Sequence, residues 1–392
     1  MNIISIILGQ GSPPAQGCFL WSTISALLVT AFCASFVLSA VITPLLARVF
    51  GKIGFVDEPR DERFSQRRVP KGGGVAIFWA VVLPIAIGLL LVWYCQANKV
   101  RPFWLPQGLV VHLPGILSRA TGAVAILVGA AVLHVLGLID DRRGVRPLIK
   151  LIVQSAVAIG LVAFFEVRLL TFLPGPMGAV LTVVWIVLLT NVFNFLDNMD
   201  GLSVGTAAIV LIMFIWVGRI SQQIFVPTMA VVLLGALVGF LLYNFNPARI
   251  FMGDSGSLPV GYLVAVVSVL TTYYNPTVHK GQWYTAFIPL VVLAIPLYDF
   301  ASVVFLRLRA HQPPWVGDQR HFSHRLIQRG MKQKTAVLTI YLATATTALS
   351  ATFLPQVRGA VAILIFLQAL AVTSIIALLE SSGAGIGHDK SG

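Results

Sequence analysis

Five aspartates, Asp140, Asp141, Asp197, Asp200 and Asp254, stand at the ends of long apolar segments. A carboxylate placed there is costly unless it meets water, a cation or another polar group. Their recurrence predicts one shared polar site, and oxygen ligands of this kind suit metal-dependent chemistry at a membrane surface.

The string GLIDDRRGVRPLIK puts Asp140 and Asp141 side by side, with Lys150 shortly after them. Adjacent carboxylates repel, so the pair calls for a cation; a plainer reading is a solvated helix end neutralised by Arg142 and Arg143. In NVFNFLDNMDGLSVG the residues Asn194, Asp197 and Asp200 recur every third position. On a helix they form one stripe of oxygen ligands for a hard cation or a polar substrate group, and Gly201 then permits a turn.

In YNFNPARIFMGDSGSLPVG the glycines Gly253 and Gly256 allow a tight turn that opens the next helix, with Asp254 inside it. A helix N-terminus favours anions, although Asp254 could serve as a capping residue alone. The last basic stretch, AHQPPWVGDQRHFSHRLIQRG, spaces His321 and His324 three apart among Arg320, Arg325 and Arg329. That is a cradle for a phosphate or diphosphate, or else a basic surface meeting lipid headgroups. Asp299, inside an apolar segment, is expected to support one of these arginines.

The elements that must position these groups are membrane helices. The chain of 392 residues is 57% hydrophobic and 10% charged, far below the charge content of soluble domains. A hydrocarbon core of about 30 Å needs roughly 17 to 25 apolar residues. Eleven runs qualify, centred near Val29, Val82, Val128, Val157, Val184, Met213, Leu233, Val266, Val292, Ala343 and Phe366. Lipid forces each to satisfy its own backbone, so the predicted fold is all-α, a polytopic integral membrane protein of about eleven transmembrane helices. The sixth run, Val204 to Val217, is the shortest.

Orientation follows from basic residues in alternate loops. With the N-terminus outside and the C-terminus cytoplasmic, only Lys99, Arg101, Arg119, Arg168, Arg219, Lys280 and Arg358 of the 27 basic residues lie outside. The same assignment leaves Glu166 outside and Asp299 within the ninth span, and sends the other acidic residues inside. The net charge of +13 then reflects this bias and attraction to anionic lipid, and calls for no nucleic acid.

Residues 1–380 read as a single membrane-embedded domain. Its inner loops are expected near 48–73, 140–150, 197–203, 244–257 and 307–334, and 381–392 are expected to form a short disordered tail. The first apolar run lacks a basic leader and is too long for a cleaved signal peptide, so it is expected to be retained. Cys18, Cys33 and Cys95 are scattered without metal-ligand spacing and are read as packing residues.

Taken together, these strings resemble the polyprenyl-phosphate N-acetylhexosamine-1-phosphate transferases. That family includes the enzymes starting O-antigen, enterobacterial common antigen and wall teichoic acid, and the phospho-MurNAc-pentapeptide transferase of peptidoglycan. The resemblance runs from about Gly54 to Leu338. It rests on the DD string at Asp140 and Asp141, the N-x-x-N-x-x-D-x-x-D-G-L string from Asn191 to Leu202, the N-x-x-P-A-x-x-F-M-G-D-x-G-S string from Asn244 to Ser257, and the histidine string from Asp318 to Leu326.

The resemblance implies roles. Asp140, Asp141 and Asp197 would be catalytic, with Asp140 and Asp141 serving the lipid phosphate and the metal. Asp254, Asp197 and Asn194 would hold Mg²⁺, with Mn²⁺ as a substitute. Asp200, Asn244 and Phe251 would shape a uridine pocket, and Lys150, Arg320, His321 and His324 would meet phosphates. The implied partners are a UDP-N-acetylhexosamine, undecaprenyl phosphate and membrane lipid, with a homodimer left open. The implied place is the bacterial cytoplasmic membrane, with the active site on its cytoplasmic face.

The chain also departs from that pattern. Arg60, Glu62 and Ser65 replace the usual Asn, Arg and His of the early loop, in which Asp57, Pro59, Pro70, Gly73 and Gly74 carry over. Asn198 stands where Gly is usual, and Ser323 where many members have a middle histidine. Without a three-histidine run the chain resembles the UDP-sugar branch more than the peptidoglycan enzyme.

The expected reaction moves N-acetylhexosamine-1-phosphate, with GlcNAc as the expected sugar, from the UDP-sugar to the lipid phosphate and releases UMP. It proceeds either in one displacement or through a phospho-aspartate on Asp140 or Asp141. A secondary transporter or lipid carrier is the competing class, but it predicts acids distributed along a midplane pathway.

Overall fold

In the computed structural model the described residues are 15–57, 68–100, 110, 113–165, 167, 173–221, 223–271, 273, 282–313 and 321–381. Helices α1 (Ala15–Lys52) and α2 (Gly73–Ala97) are followed by a short α3 (Leu113–Ser118). Next come α4 (Ala120–Arg143), α5 (Pro147–Phe165), α6 (Gly175–Leu196), α7 (Leu202–Ile220), α8 (Phe225–Asn244) and α9 (Asp254–Leu270). A 3₁₀ turn (Trp283–Phe287) leads into α10 (Ile288–Val292) and α11 (Ala294–Arg309). The chain closes with α12 (Phe322–Gln328), α13 (Gln333–Ala351) and α14 (Gly359–Ser381).

Every one of the eleven expected centres lies in an apolar helix, but not all of them span equally. Nine helices among the described residues are long and apolar enough to cross a membrane, and the protein is a multi-pass membrane protein. The tenth region is bent by 65° between Trp283–Val292 and Ala294–Arg309, so the expected centre Val292 falls at the break. The eleventh, α9, has 17 residues, about 25 Å of helix. The run around Met213, expected to be the weakest, forms the 19-residue α7.

Helix α9 is the axis of the bundle. Every residue from Ser255 to Val269 is buried, which is why its sequence is apolar all round rather than on one stripe. Helices α2, α4, α6 and α7 pack around it. Small residues set the closest approach elsewhere: Cβ atoms at Gly235 and Gly239 of α8 would meet the backbone of Phe32 and Phe36 on α1. Ser35 and Ser39 of α1 donate to the Val232 and Ala236 carbonyls, each at 2.7 Å. Hydrocarbon supplies no drive for helices to associate, so close packing and such bonds hold them.

The lipid-facing surface is correspondingly apolar, with Val37, Val41 and Leu45 of α1 and Leu364, Leu367 and Leu370 of α14 exposed. Cys33 is exposed on that surface and Cys95 is buried, and both are free thiols.

One element falls outside the all-α expectation. Val56–Asp57 and Val69–Pro70 form β1 and β2 of a two-stranded antiparallel sheet, pairing Val56 with Pro70 and Asp57 with Val69. The β-branched valines favour the extended backbone, and a Lys71–Asp57 ion pair at 2.8 Å closes it. The sheet reaches the functional end of the bundle, because Pro70 accepts from the Phe251 N–H at 2.9 Å and Gly73 donates to the Phe251 carbonyl at 2.9 Å. The replaced residues Arg60, Glu62 and Ser65 lie outside the described residues, as do Pro59, Asp318, Arg320 and the tail from 382 to 392.

Candidate active site

The C-terminal ends of α4, α6 and α8 and the N-terminal ends of α5, α7 and α9 meet at one end of the bundle. Their polar termini form the site. Lys150, in the first turn of α5, places its ammonium 2.7 Å from Asp140 Oδ2 and 2.7 Å from Asp254 Oδ2. Two carboxylates that would repel are thereby joined through one cation. All three side chains are partly shielded, with relative exposures of 21%, 15% and 24% for Lys150, Asp140 and Asp254.

Asp140 is fixed by a second contact, since its Oδ1 accepts from the Val145 N–H at 2.6 Å. Asp141 points the other way. Its Oδ1 accepts from the Asp254 N–H and its Oδ2 from the Ser255 N–H, both at 3.0 Å. It therefore caps α9 from another helix, replacing the local cap that glycine at 253 does not supply.

Two glycines make that docking possible. A Cβ at Gly137 on α4 would collide with the Asp254 carbonyl. Gly253 takes φ +67° and lies against the Asp141 carboxylate, a backbone conformation that side chains other than glycine adopt with strain. His134, one turn earlier on α4, stacks on Phe78 with centroids 4.4 Å apart and meets the Ser255 carbonyl through Nδ1 at 2.7 Å. Sequence reasoning passed over His134, although a lone polar residue in an apolar helix close to Asp140 was its signal.

Asn194, in the last turn of α6, donates from Nδ2 to Asp254 Oδ1 at 3.0 Å and to Ser257 Oγ at 2.8 Å. Its amide nitrogen thus faces the carboxylate and orients it. Asp197 follows at the C-cap of α6, its N–H bonded to the Asn194 carbonyl at 3.2 Å. One turn behind the site, Asn191 donates to the buried Gln154 at 2.7 Å, joining α6 to α5.

Asp200 and Asn244 are buried and bound to backbone. Asp200 Oδ2 accepts from Asn246 Nδ2 and from the Ala248 N–H, both at 3.0 Å. Asn244 accepts from the Gly201 N–H at 3.1 Å and donates to the Ile250 carbonyl at 2.9 Å. Together they hold the turn after α6 against the segment 245–250. Phe251, partly buried, continues that segment toward Gly73.

A second cluster sits beyond Phe195. Asp299 of α11 accepts from His321 Nδ1 at 3.0 Å and from the Phe322 N–H at 2.7 Å, so its direct partners are the histidine and the start of α12. His321 and His324 are both buried, with ring centroids 6.0 Å apart, and His321 meets the edge of Phe195 at 6.1 Å. Arg325, expected to face phosphates, is turned toward the opposite wall: it pairs with Glu380 at 2.8 Å and donates to Ser302 at 2.9 Å. Arg307, buried, lies over the Phe195 ring at 5.1 Å.

Among the described residues no group of three or more His, Cys, Asp or Glu is close enough to hold a metal by itself. Mg²⁺ characteristically takes only one or two carboxylates and completes its shell with water and substrate phosphate oxygens. Asp254 offers one partly exposed carboxylate, and a cation arriving with a diphosphate would draw its other ligands from phosphate oxygens and water.

Comparison with known proteins bears on the family. The description glycosyl transferase family 4 fits residues 123–272, which include Asp140, Lys150, Asn194, Asp197 and Asp254. A probable undecaprenyl-phosphate N-acetylglucosaminyl 1-phosphate transferase of Bacillus subtilis is 33% identical over 323 residues, covering 80% of this chain and 81% of the relative. A decaprenyl-phosphate N-acetylglucosaminephosphotransferase of Mycobacterium tuberculosis is 31% identical, over 74% of this chain and 73% of its own length. The undecaprenyl-phosphate alpha-N-acetylglucosaminyl 1-phosphate transferase of Escherichia coli K12 is 26% identical over 76% of each chain.

Proposed function

The chain belongs to glycosyl transferase family 4, and from that premise we propose that it transfers N-acetylglucosamine-1-phosphate from a UDP-sugar to undecaprenyl phosphate. UMP leaves, and a polyprenyl-diphospho-sugar opens a cell-surface glycan pathway. The observation that carries this reading is the convergence of Asp140, Lys150, Asn194 and Asp254 from four helices onto one polar cluster.

In this reading all eleven apolar segments cross the bacterial cytoplasmic membrane. The N-terminus lies outside, and the cluster opens to the cytoplasm, where a soluble nucleotide sugar is available. The exposed Leu148 and Ile152 on α5 keep the acceptor's prenyl chain in hydrocarbon while its phosphate reaches Lys150.

An oxygen of the lipid phosphate forms a bond to the sugar-linked phosphorus, and the bond between that phosphorus and the bridging oxygen of UMP breaks. A phosphate monoester is largely dianionic near neutral pH, so the attacking oxygen needs little help from a base. The obstacle is repulsion between two anions. Lys150 offsets it from within a carboxylate frame that holds its ammonium in place, and His321 and His324, beyond Phe195, would meet the donor diphosphate. Mg²⁺, held by Asp254 and Asp197 together with donor phosphate oxygens, would supply the remaining neutralisation of charge on the transferring group.

The contacts of both aspartates suit a direct displacement: Asp140 holds the Val145 N–H and Lys150, and Asp141 is fully committed. Both of its oxygens accept backbone hydrogen bonds, which suits anchoring α9 better than attack on phosphorus. A donor screen tests the proposal: purified protein with undecaprenyl phosphate, Mg²⁺ and each UDP-N-acetylhexosamine should release UMP fastest with UDP-GlcNAc. Absence of UMP with every donor, alongside solute flux in proteoliposomes, would instead favour a transporter.

A further inference from the structure

Two positions at which the sequence departs from the pattern it otherwise resembles, Asn198 and Ser323, touch each other. The Ser323 hydroxyl donates to Asn198 Oδ1 at 2.7 Å, although the two residues are 125 apart in sequence. Ser323 is 1% exposed and sits between His321 and His324 in α12. Asn198 lies in the turn between Asp197 and Asp200, and its amide nitrogen donates to the Phe195 carbonyl at 2.9 Å. Both ends of the Asn198 amide are therefore used, one on the end of α6 and one on α12.

Two other polar anchors of α12 lead elsewhere. Asp299 ties His321 and the Phe322 N–H to α11, and Arg325 reaches Ser302 of α11 and Glu380 of α14. Those bonds fix α12 against α11 and α14. Asn198 to Ser323 is a bond that reaches the carboxylate turn itself.

We propose that Asn198 and Ser323 are a positioning pair that sets the separation between the carboxylate turn 197–200 and the two histidines. The inference rests on the transferase reading, in which the turn and the histidines grip the same donor diphosphate. Neither residue touches the reacting atoms. A bulky residue at either position would push the two halves apart, and a small one would leave a buried hydroxyl or amide without its partner. The two departures thus meet in one contact, the amide oxygen at 198 receiving the hydroxyl at 323.

The test is a double-mutant cycle with N198A, S323A and the double variant, plus S323T, which keeps the hydroxyl. Each single alanine should lower kcat/KM for the UDP-sugar about tenfold, with the double variant no worse than either single, because paired residues are non-additive. The KM for undecaprenyl phosphate should stay unchanged, melting temperatures in detergent should fall only as far as one lost hydrogen bond requires, and S323T, which keeps the hydroxyl but adds a methyl, should recover part of the loss. Amide hydrogen exchange in 321–328 should quicken in S323A while the spans keep their protection.

Additive losses, or full activity in both single variants, would overturn the pairing. If the parent protein itself transfers no sugar phosphate, the transferase reading fails, and the exchange comparison then judges the link alone. Unchanged exchange in 321–328 of S323A would overturn it.

Discussion

Asp141 caps a helix to which it does not belong: its two carboxylate oxygens accept the first backbone N–H groups of α9, from Asp254 and Ser255, each at 3.0 Å. The neighbouring Asp140 meanwhile holds Lys150. The DD pair is thus split, with one carboxylate building the site and the other facing the cation.

Replacing Lys150 by Met should leave Asp140 and Asp254 facing each other without their shared cation. A partly buried pair broken on one side costs roughly 2 kcal/mol in stability, and transfer should fall at least about 100-fold. Lys150→Arg should keep the fold and recover only part of the rate, since a planar guanidinium does not reproduce a point contact to two carboxylates. UMP release and the melting temperature in detergent check both variants.

Gly137→Ala should be far more damaging than its chemistry suggests. The added Cβ meets the Asp254 carbonyl, backbone that has no room to yield, so α4 and α9 must separate. An overpacking cost of about 1–3 kcal/mol is expected. Activity should fall with it, whereas Gly122→Ala on the same helix, where a Cβ meets open space, should be silent in both assays.

Asp299→Ala should detach the histidines without touching a phosphate. It removes the acceptor of His321 and of the Phe322 N–H in a buried setting, a loss of roughly 3 kcal/mol. The donor KM should rise and protease cleavage within 321–328 should become faster. Unchanged donor KM would show that α12 is held by its other contacts.

A direct displacement predicts no exchange of labelled UMP into UDP-GlcNAc when lipid phosphate is absent. Exchange in that setting, lost on Asp140→Asn, would reveal a phospho-aspartate and reverse the reading of this pair.

Much of the fold was legible because membrane helices are written in long apolar runs, and all eleven expected centres fall in helices. The break after Val292 was not. Pro289 and Pro296 flank it, yet each sits near the start of a helix, where proline is tolerated. The order of site motifs was equally plain, but the assignment of partners was not.

Nothing local in the sequence tells that Asp200 and Asn244 bind backbone more than 40 residues away, or that Arg325 turns to Glu380 at the far end of the chain. Spacing shows which residues share a helix face, whereas contacts between helices depend on packing, as Lys150 and Asp254 illustrate.

The most direct test of the central claim is Mg²⁺-dependent turnover of Asp254→Asn, purified in detergent with undecaprenyl phosphate and UDP-GlcNAc. Asparagine keeps the shape and the bond to Asn194 through its amide oxygen but removes the charge that faces Lys150. The account predicts loss of UMP and lipid-diphospho-sugar formation by at least about 100-fold, with a fall in melting temperature no larger than that of Lys150→Met. Near-normal turnover with an unchanged Mg²⁺ requirement would contradict it and remove Asp254 from the reaction centre.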